Sequence, residues 1–191
     1  MIKAIIFDCF GVVFSDNFVE VYKNLGGDYE ADKEYLEHLI HEVSAGRKSS
    51  VSQEIMKKIN VTYDQWQEEN RKDRDFNWEL LKYAQELRKE YIVTMLSNIG
   101  PSGLSHHMDY AVLEKHFDDI VESAKIGFAK PEARAYETAA SRIGVRLDEC
   151  VFIDDRETYC SGARSVGMKA VRYESVQQLK KDLSEILKTA S

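Results

Sequence analysis

The chain has few cysteines and no long apolar runs, and each scarcity excludes a class of protein. Only three of its 191 residues are cysteines, Cys9, Cys150 and Cys160, and their spacing matches no metal-binding motif. Their odd number and apolar neighbours indicate reduced thiols, so we expect a cytoplasmic protein. No apolar run approaches the length of a membrane span and no segment resembles a signal peptide, so we expect no membrane partner.

Positive charge is scarce as well. The chain carries 26 Lys and Arg against 33 Asp and Glu, and its net charge of -7 disfavours nucleic acids and anionic membranes as partners. An anionic substrate would therefore need local positive groups such as Lys130. A hydrophobic content of 43% in a chain of this length predicts one globular core with a modest insert.

The first chemically informative residue is Asp8, which follows an apolar run from Ile2 to Phe7. Such a run, closed by a turn that contains Gly11, predicts a buried strand of a parallel sheet. A carboxylate at the end of that strand points into the crevice where open α/β sheets bind ligands, and it can serve there as a nucleophile or a metal ligand. The alternative is an Asp that caps a turn.

Three later segments place polar groups in similar positions. They are the pair Ser97-Asn98 after a strand-like run, Lys130 before a proline, and the pair Asp154-Asp155 after another strand-like run. If the sheet is doubly wound, the hydroxyl and the acidic pair converge with the first carboxylate at one edge of the sheet. Taken singly, each segment also has an ordinary interpretation as a turn or an exposed helix start.

The order of these groups, an Asp, a hydroxyl, a Lys and a carboxylate pair, resembles the haloacid dehalogenase-like (HAD) hydrolase superfamily over nearly the whole chain. The segment from Gly127 to Gly144 is especially similar to the small helical-cap phosphatases of that superfamily. The resemblance implies an α/β fold, with a doubly wound parallel sheet as a Rossmann-like core and an inserted small helical-bundle cap. It also implies an Mg²⁺-dependent phosphomonoester hydrolase that acts on a small phosphorylated metabolite.

The resemblance assigns the nucleophile and the metal ligands. Asp8 would attack the phosphorus atom and form an aspartyl-phosphate. The direct ligands of Mg²⁺ would be Asp8, Asp155 and the backbone carbonyl of Phe10, and Asp154 would act through a bound water.

The resemblance also assigns the phosphate-binding groups. Lys130 would stabilise the nucleophile and the transferring group by its charge. Ser97 and the backbone after it, at Asn98, would hydrogen-bond a phosphate oxygen, and water would then hydrolyse the intermediate.

The section from 15 to 74 contains four amphipathic helical patterns and no strand-like run. Such helices predict a small bundle, with Ser52 as the cap of the third helix and Asp64 near the start of the fourth. Helix and strand patterns alternate afterwards, which predicts βα units. We therefore assign 1–14 and 75–191 to the α/β core and 15–74 to the cap. Because such a cap already covers the cleft, we expect a monomer.

Cap residues would set the substrate specificity, because the core holds only phosphate and metal. The candidates for facing the cleft are Phe14, Asn17, Arg47 and Trp66. We assign the five histidines, including the pair His106-His107, to the surface or to packing.

Two positions depart from the family pattern. Phe10 stands where the phosphatases of this family usually carry a second Asp, the general acid, and a positioned acid is typically worth about 10²–10⁴-fold. We therefore expect weak or selective activity that favours good leaving groups, such as sugar 1-phosphates, aryl phosphates or acyl phosphates. Tyr159 stands where the family often has an Asn that positions the Lys, so we expect Lys130 to be held differently.

Two other functions remain open. Haloacid dehalogenases also carry an aromatic residue at the position of Phe10, but they use no metal and hold halide with an early cap Arg, whereas the first Arg here is Arg47. The acidic pair also argues against them, since it would repel a carboxylate substrate. A catalytically decayed binding module fits the missing acid. It does not fit the retained carboxylates, because buried like charges without a metal are costly.

Overall fold

A single parallel sheet forms the centre of the molecule. The computed structural model describes residues 1–72 and 74–189, and within them five strands pair in the order β3-β2-β1-β4-β5. The strands are β1 (Ala4–Phe7), β2 (Ile92–Ser97), β3 (Asp119–Glu122), β4 (Cys150–Asp154) and β5 (Lys169–Arg172). This order, with β1 in the middle and helices between consecutive strands, confirms the predicted doubly wound α/β sheet.

Helices connect the strands and cover both faces of the sheet. They are α1 (Phe18–Asn24), α2 (Tyr29–Ser44), α3 (Val51–Ile59), α4 (Tyr63–Asn70), α5 (Trp78–Leu87), α6 (Tyr110–His116), α7 (Ser123–Ile126), α8 (Ala133–Arg142), α9 (Glu157–Ser165) and α10 (Val176–Thr189). Two short 3-10 helices span Leu104–His106 and Leu147–Glu149. Among the described helices, none combines the length and the apolar character that a membrane crossing requires.

Alternate residues of each strand enter different hydrophobic clusters. Ile5 and Phe7 of β1 pack with the apolar faces of α5, α6 and α10. Ala4 and Ile6 pack on the opposite face, with α8 and α9. This alternation is the period-2 geometry of a strand that is buried on both sides, and it explains why the sequence of β1 is a continuous apolar run.

The register of the central strands determines where their ends meet. Phe7 of β1 pairs with Ile153 of β4, and the backbone N–H of Asp8 donates to the carbonyl of Ile153 at 2.8 Å. The next residues, Asp8 directly after β1 and Asp154 at the end of β4, therefore lie side by side. They do so between β1 and β4, where the strand order reverses and open α/β sheets form their ligand crevice.

The helices α1 to α4 form a hydrophobic cluster of their own. Its buried members are Val21, Tyr22, Leu36, Leu39, Val43, Ile55 and Trp66. The predicted cap of the third helix is wrong, because the hydroxyl of Ser50 accepts from the N–H of Gln53, whereas Ser52 lies inside α3 and bonds that same hydroxyl. Helix α4 begins with a capping box of Thr62 and Gln65, and its buried residue, Trp66, follows one turn after Thr62.

Some predicted boundaries differ from the structure, and three positions cannot be compared. Within the segment from Gly127 to Gly144, helix α8 begins at Ala133, so Lys130 precedes the helix by three residues. No helix is predicted in the segments of α6 and α7, and α7, with only four residues, is too short to show a helical period. The predicted ranges 15–74 and 75–191 also include Asp73, Ala190 and Ser191, which lie outside the described residues.

Candidate active site

Three carboxylates meet at the crevice between β1 and β4. One oxygen from each of Asp8, Asp154 and Asp155 lies within 4.8 Å of the others. Asp8 and Asp154 are buried, and Asp155 is partly exposed. The sheet register brings the first two together, and the third follows directly along the chain. Grouped carboxylates raise each other's pKa, so this cluster requires positive charge nearby.

Lys130 supplies part of that charge from the loop before α8. Its Nζ donates to Oδ1 of Asp8 at 2.5 Å and to Oδ2 of Asp154 at 2.8 Å, and the side chain is only 1% exposed. Burial alone would lower the pKa of Lys130, but Asp154 and Asp8 outweigh it and hold that pKa above its usual value. Lys130 is therefore a buried ammonium bridging two carboxylates, not an exposed residue at a helix start.

The backbone of Lys130 is fixed by Asn98 at the end of β2. The side-chain amide of Asn98 donates to the carbonyl of Lys130 at 2.9 Å, and its oxygen accepts from the N–H of Lys130 at 2.8 Å. This pair of bonds ties the lysine loop to the sheet edge. The sequence indicates Asn98 as a turn residue and a phosphate ligand, but it does not predict this clamp on a residue 32 positions away.

Aromatic rings enclose the ammonium of Lys130 on its remaining sides. Its Nζ lies 5.0 Å from the ring centre of Tyr159 and 5.3 Å from that of Phe152. Both distances are within the range of cation–π attraction. Tyr159 thus contacts Lys130 through its ring, at the position where the family often has an Asn.

Two buried oxygens at this edge lack a hydrogen-bond partner among the described residues. They are Oδ1 of Asp155 and Oγ of Ser97. Burial, and then Asp154, raise the pKa of Asp155. Unpaired buried oxygens are costly, and a hard cation or a phosphate oxygen would satisfy them. The donor set of carboxylates and a hydroxyl therefore fits Mg²⁺ with a phosphoryl group.

A cavity of about 230 Å³ opens beside Asp8, between the sheet edge and α1 to α4, and Asp8 is the member of the carboxylate cluster that lines it. Of the four cap residues expected to face the cleft, Asn17 and Trp66 line it. The expectation is wrong for Phe14, which is buried against the rings of Phe10 and Phe76. It is also wrong for Arg47, which is not among the lining residues and pairs with Glu42 and Glu132 instead.

Sequence patterns do not reveal five charged or titratable residues of the cavity wall. They are Asp16, Arg74, His106, His107 and Arg156. His107 packs edge-on against the ring of Phe10 at 5.9 Å, and burial, followed by Arg74 and His106, lowers its pKa to about 4. Apart from the adjacent pair His106-His107, these side chains come from separate segments of the chain, so no local motif marks the group.

Comparisons with known proteins identify a family and a fold for the chain. A family model described as haloacid dehalogenase-like hydrolase matches residues 2–167. A phosphatase of Mycobacterium tuberculosis is 42% identical over 60 residues, which are 31% of this chain and 28% of that protein. The bifunctional epoxide hydrolase 2 of Sus scrofa is 25% identical over 119 residues, 60% of this chain and 21% of that protein. The matched parts thus span less than a third of either relative.

Solved structures show the same fold. A HAD-like family hydrolase of Porphyromonas gingivalis has a TM-score of 0.76 at 23% identity, with 98% of each chain covered. A HAD family enzyme of Bacteroides thetaiotaomicron, in complex with magnesium and inorganic phosphate, has a TM-score of 0.72 at 23% identity, covering 94% of this chain and 99% of that one. The L-2-haloacid dehalogenase of Xanthobacter autotrophicus has a TM-score of 0.67 at 22% identity, covering 97% and 83%.

Proposed function

The chain belongs to the haloacid dehalogenase-like hydrolases, and on that premise we propose that it is an Mg²⁺-dependent phosphatase that uses Asp8 as its nucleophile. One observation carries the proposal. Asp8 is held by Lys130, faces the cavity and lies within 4.8 Å of two further carboxylates, Asp154 and Asp155. A phosphoryl group that arrives there adds still more negative charge, which a divalent cation would offset.

The residues that would hold Mg²⁺ are Asp8, Asp155 and the backbone carbonyl of Phe10, with Asp154 acting through water. The unpartnered Oδ1 of Asp155 supports its direct role. Asp154 already accepts from Lys130 and from the N–H of Arg156 at 2.9 Å, which favours a water-mediated one. When bound, Mg²⁺ would neutralise charge on the phosphoryl oxygens.

The chain's own groups account for the reaction steps. A carboxylate oxygen of Asp8 bonds to phosphorus as the bond to the leaving oxygen breaks, and the leaving group departs with the electron pair. Burial raises the pKa of Asp8, and the charge of Lys130 opposes that rise and orients the carboxylate. Ser97 and the backbone at Asn98 bind the phosphoryl oxygens. Water then attacks phosphorus, its proton passes to solvent, and Asp8 is released as a carboxylate.

The leaving group determines the substrate class. Phe10 can neither donate nor accept a proton, so a leaving oxygen that departs without protonation is favoured. The cavity of about 230 Å³ is smaller than the roughly 300–1,000 Å³ of typical ligand clefts, which favours a small substrate. Serine hydroxyls from Ser44 to Ser52 lie among the lining residues and would bind a polyol. These features support a sugar 1-phosphate.

The helical section 15–74 is proposed as the cap that selects the substrate. Its helices share a hydrophobic cluster of their own. Its residues Asn17 and Trp66 line the same cavity as Asp8. The cap would then exclude water from the nucleophile and contact the sugar, whereas the sheet edge contacts phosphate and metal.

The proposal is tested by substrate selectivity. Hydrolysis of para-nitrophenyl phosphate, α-glucose 1-phosphate and glucose 6-phosphate is measured with Mg²⁺ and with EDTA. We expect metal-dependent turnover in which the aryl and 1-phosphate esters exceed the 6-phosphate at least about 10-fold, because a missing acid affects poor leaving groups most. Preference for the 6-phosphate would contradict the leaving-group argument.

Two other functions predict different results and are tested with additional assays. Phe10 and the neighbouring Arg74 in the cavity wall favour dehalogenation as the second candidate, which predicts halide release from 2-chloropropionate even with EDTA. A decayed binding module predicts Mg²⁺-dependent thermal stabilisation without turnover of any phosphate. The carboxylates beside Asp8 weigh against dehalogenation, because they repel a carboxylate substrate.

A further inference from the structure

Arg74 lies in the wall of the cavity, in the segment between α4 and α5. Its guanidinium carbon lies 4.9 Å from the ring centre of Phe14 and 6.0 Å from that of Phe10. Both Arg74 and Phe10 line the same cavity as Asp8. A half-buried cation is thus held beside the position where a family phosphatase would carry its general acid.

The other cations of the cavity wall have carboxylate partners. Lys130 pairs with Asp8 and Asp154, and Arg156 pairs with Asp16 at 3.3 Å. Among the ion pairs found in 1–72 and 74–189, none includes Arg74. An anionic group of a bound ligand can therefore pair with Arg74.

The hydrogen bonding of Arg74 is also incomplete. Its buried Nε donates to no described residue, and Nη1 makes a long contact of 3.5 Å to the carbonyl of Asn70. Burial lowers the pKa of Arg74, and the charge of Asp16 only partly opposes that shift. A partly dehydrated cation with free donors is stabilised by an anion more strongly than an exposed one.

We propose that Arg74 is a catalytic residue that stabilises the negative charge on the leaving-group oxygen. This inference rests on the proposed function and deepens it. The substrate class is then a phosphate ester or acyl phosphate whose leaving group departs as an oxyanion. Arg74 performs by charge what a general acid performs by proton transfer.

The step balances without a proton donor. The bond from phosphorus to the leaving oxygen breaks as Asp8 bonds to phosphorus, and both electrons stay on the leaving oxygen. Arg74 donates N–H hydrogen bonds to the oxyanion and keeps its own proton, since a guanidinium does not deprotonate in proteins. The oxyanion takes its proton from solvent after release. The rings of Phe10 and Phe14 exclude water from the guanidinium and so strengthen its field.

Aryl phosphates of graded leaving-group acidity test the inference. The substrates are phenyl phosphate, 4-nitrophenyl phosphate and 2,4-dinitrophenyl phosphate, and the catalytic efficiency on each is measured for the wild type and for Arg74→Met, Arg74→Gln and Arg74→Lys. We expect Arg74→Met to lose about 10²–10³-fold on phenyl phosphate and less than about 10-fold on the dinitrophenyl ester, because the poorest leaving group carries most charge. Arg74→Lys should recover part of the loss.

The control is Arg134→Met, which removes an exposed arginine stacked on Phe128 at 5.2 Å and should leave all three rates unchanged. Equal losses of Arg74→Met on all three esters, with wild-type turnover dependent on Mg²⁺, would overturn the role of Arg74 and leave the proposed function standing. A wild type that hydrolyses none of the esters would contradict both. If Arg74→Met does not fold, the same comparison of losses on the three esters is made with Arg74→Gln.

Discussion

Gly11 lies directly against the carboxylate of Asp155. A Cβ atom on Gly11 would be 2.8 Å from Oδ2 of Asp155, and the φ angle of Gly11 is +85°. Two requirements therefore meet at this position. The turn after β1 needs a backbone conformation that side chains disfavour, and the carboxylate needs the space that a side chain would fill.

Substitution of this glycine should weaken Mg²⁺ binding. Gly11→Ala should displace Asp155. We expect at least about a 10-fold loss of Mg²⁺ affinity, measured by isothermal titration calorimetry, which is the typical loss when a residue that orients a metal ligand is changed. The matched control is Gly144→Ala, where φ is +69° and nothing lies within 4 Å of the added Cβ. Backbone strain alone would destabilise both variants by about 1–2 kcal/mol. Equal Mg²⁺ affinity in the two variants would refute the role of this contact.

Loss of the bridging ammonium should destabilise the fold. Lys130→Met leaves Asp8 and Asp154 buried without their shared partner, which typically costs about 3–5 kcal/mol. Urea unfolding in EDTA measures this cost. The surface pair of Lys58 and Asp32 provides the comparison, since Lys58→Met breaks a solvent-screened ion pair and should cost far less than Lys130→Met. Similar costs for the two variants would show that Lys130 is not an essential counter-charge.

The ring of Tyr159, not its hydroxyl, should matter to Lys130. Tyr159→Leu removes the face that lies 5.0 Å from Nζ, and we expect a loss of about 1–2 kcal/mol in the free energy of unfolding. Tyr159→Phe keeps the ring and should stay close to the wild type. If both variants lose the same stability, the contact acts through the hydroxyl and the cation–π account is wrong.

His107 should make the protein less stable in acid. Its pKa is lowered from 6.5 to about 4 in the folded state, so the unfolded chain binds this proton first as the pH falls. The stabilisation is complete above about pH 6.5 and is lost progressively towards pH 4, by roughly 2–3 kcal/mol in total.

The measurement is urea unfolding at pH 7 and pH 4. Wild type should lose more stability between the two than His107→Asn does, whereas His38→Asn, which alters an exposed histidine of α2, should follow the wild type. Parallel losses in wild type and His107→Asn would contradict the burial of a neutral imidazole.

The sheet and the residues at its edge can be predicted from the sequence because they depend on local patterns. The apolar runs before Asp8 and Asp154 predict strands, and parallel strands bring their carboxyl ends together. The strand ends predict that Asp8 and the acidic pair meet at one edge of the sheet, and the family resemblance adds Lys130. The structure brings these four side chains together there. Their chemical roles remain proposals.

What the sequence could not supply depends on contacts between distant segments. Asn98 resembles an ordinary turn residue until it meets the backbone of Lys130, and Arg74 resembles a linker charge until the cavity forms around it. Phe14 and Arg47 are expected at the cleft from their place beside or within the predicted cap. Packing instead buries the first and pairs the second with Glu42 and Glu132.

Hydrolysis of para-nitrophenyl phosphate by the wild type and by Asp8→Asn, each with Mg²⁺ and with EDTA, tests the central claim most directly. Asparagine keeps the size of the side chain but removes the nucleophilic carboxylate. We predict turnover in the wild type with Mg²⁺ alone, and a fall of at least about 10³-fold in kcat for Asp8→Asn. Retention of more than about a tenth of the wild-type kcat by that variant would contradict an aspartyl-phosphate at Asp8.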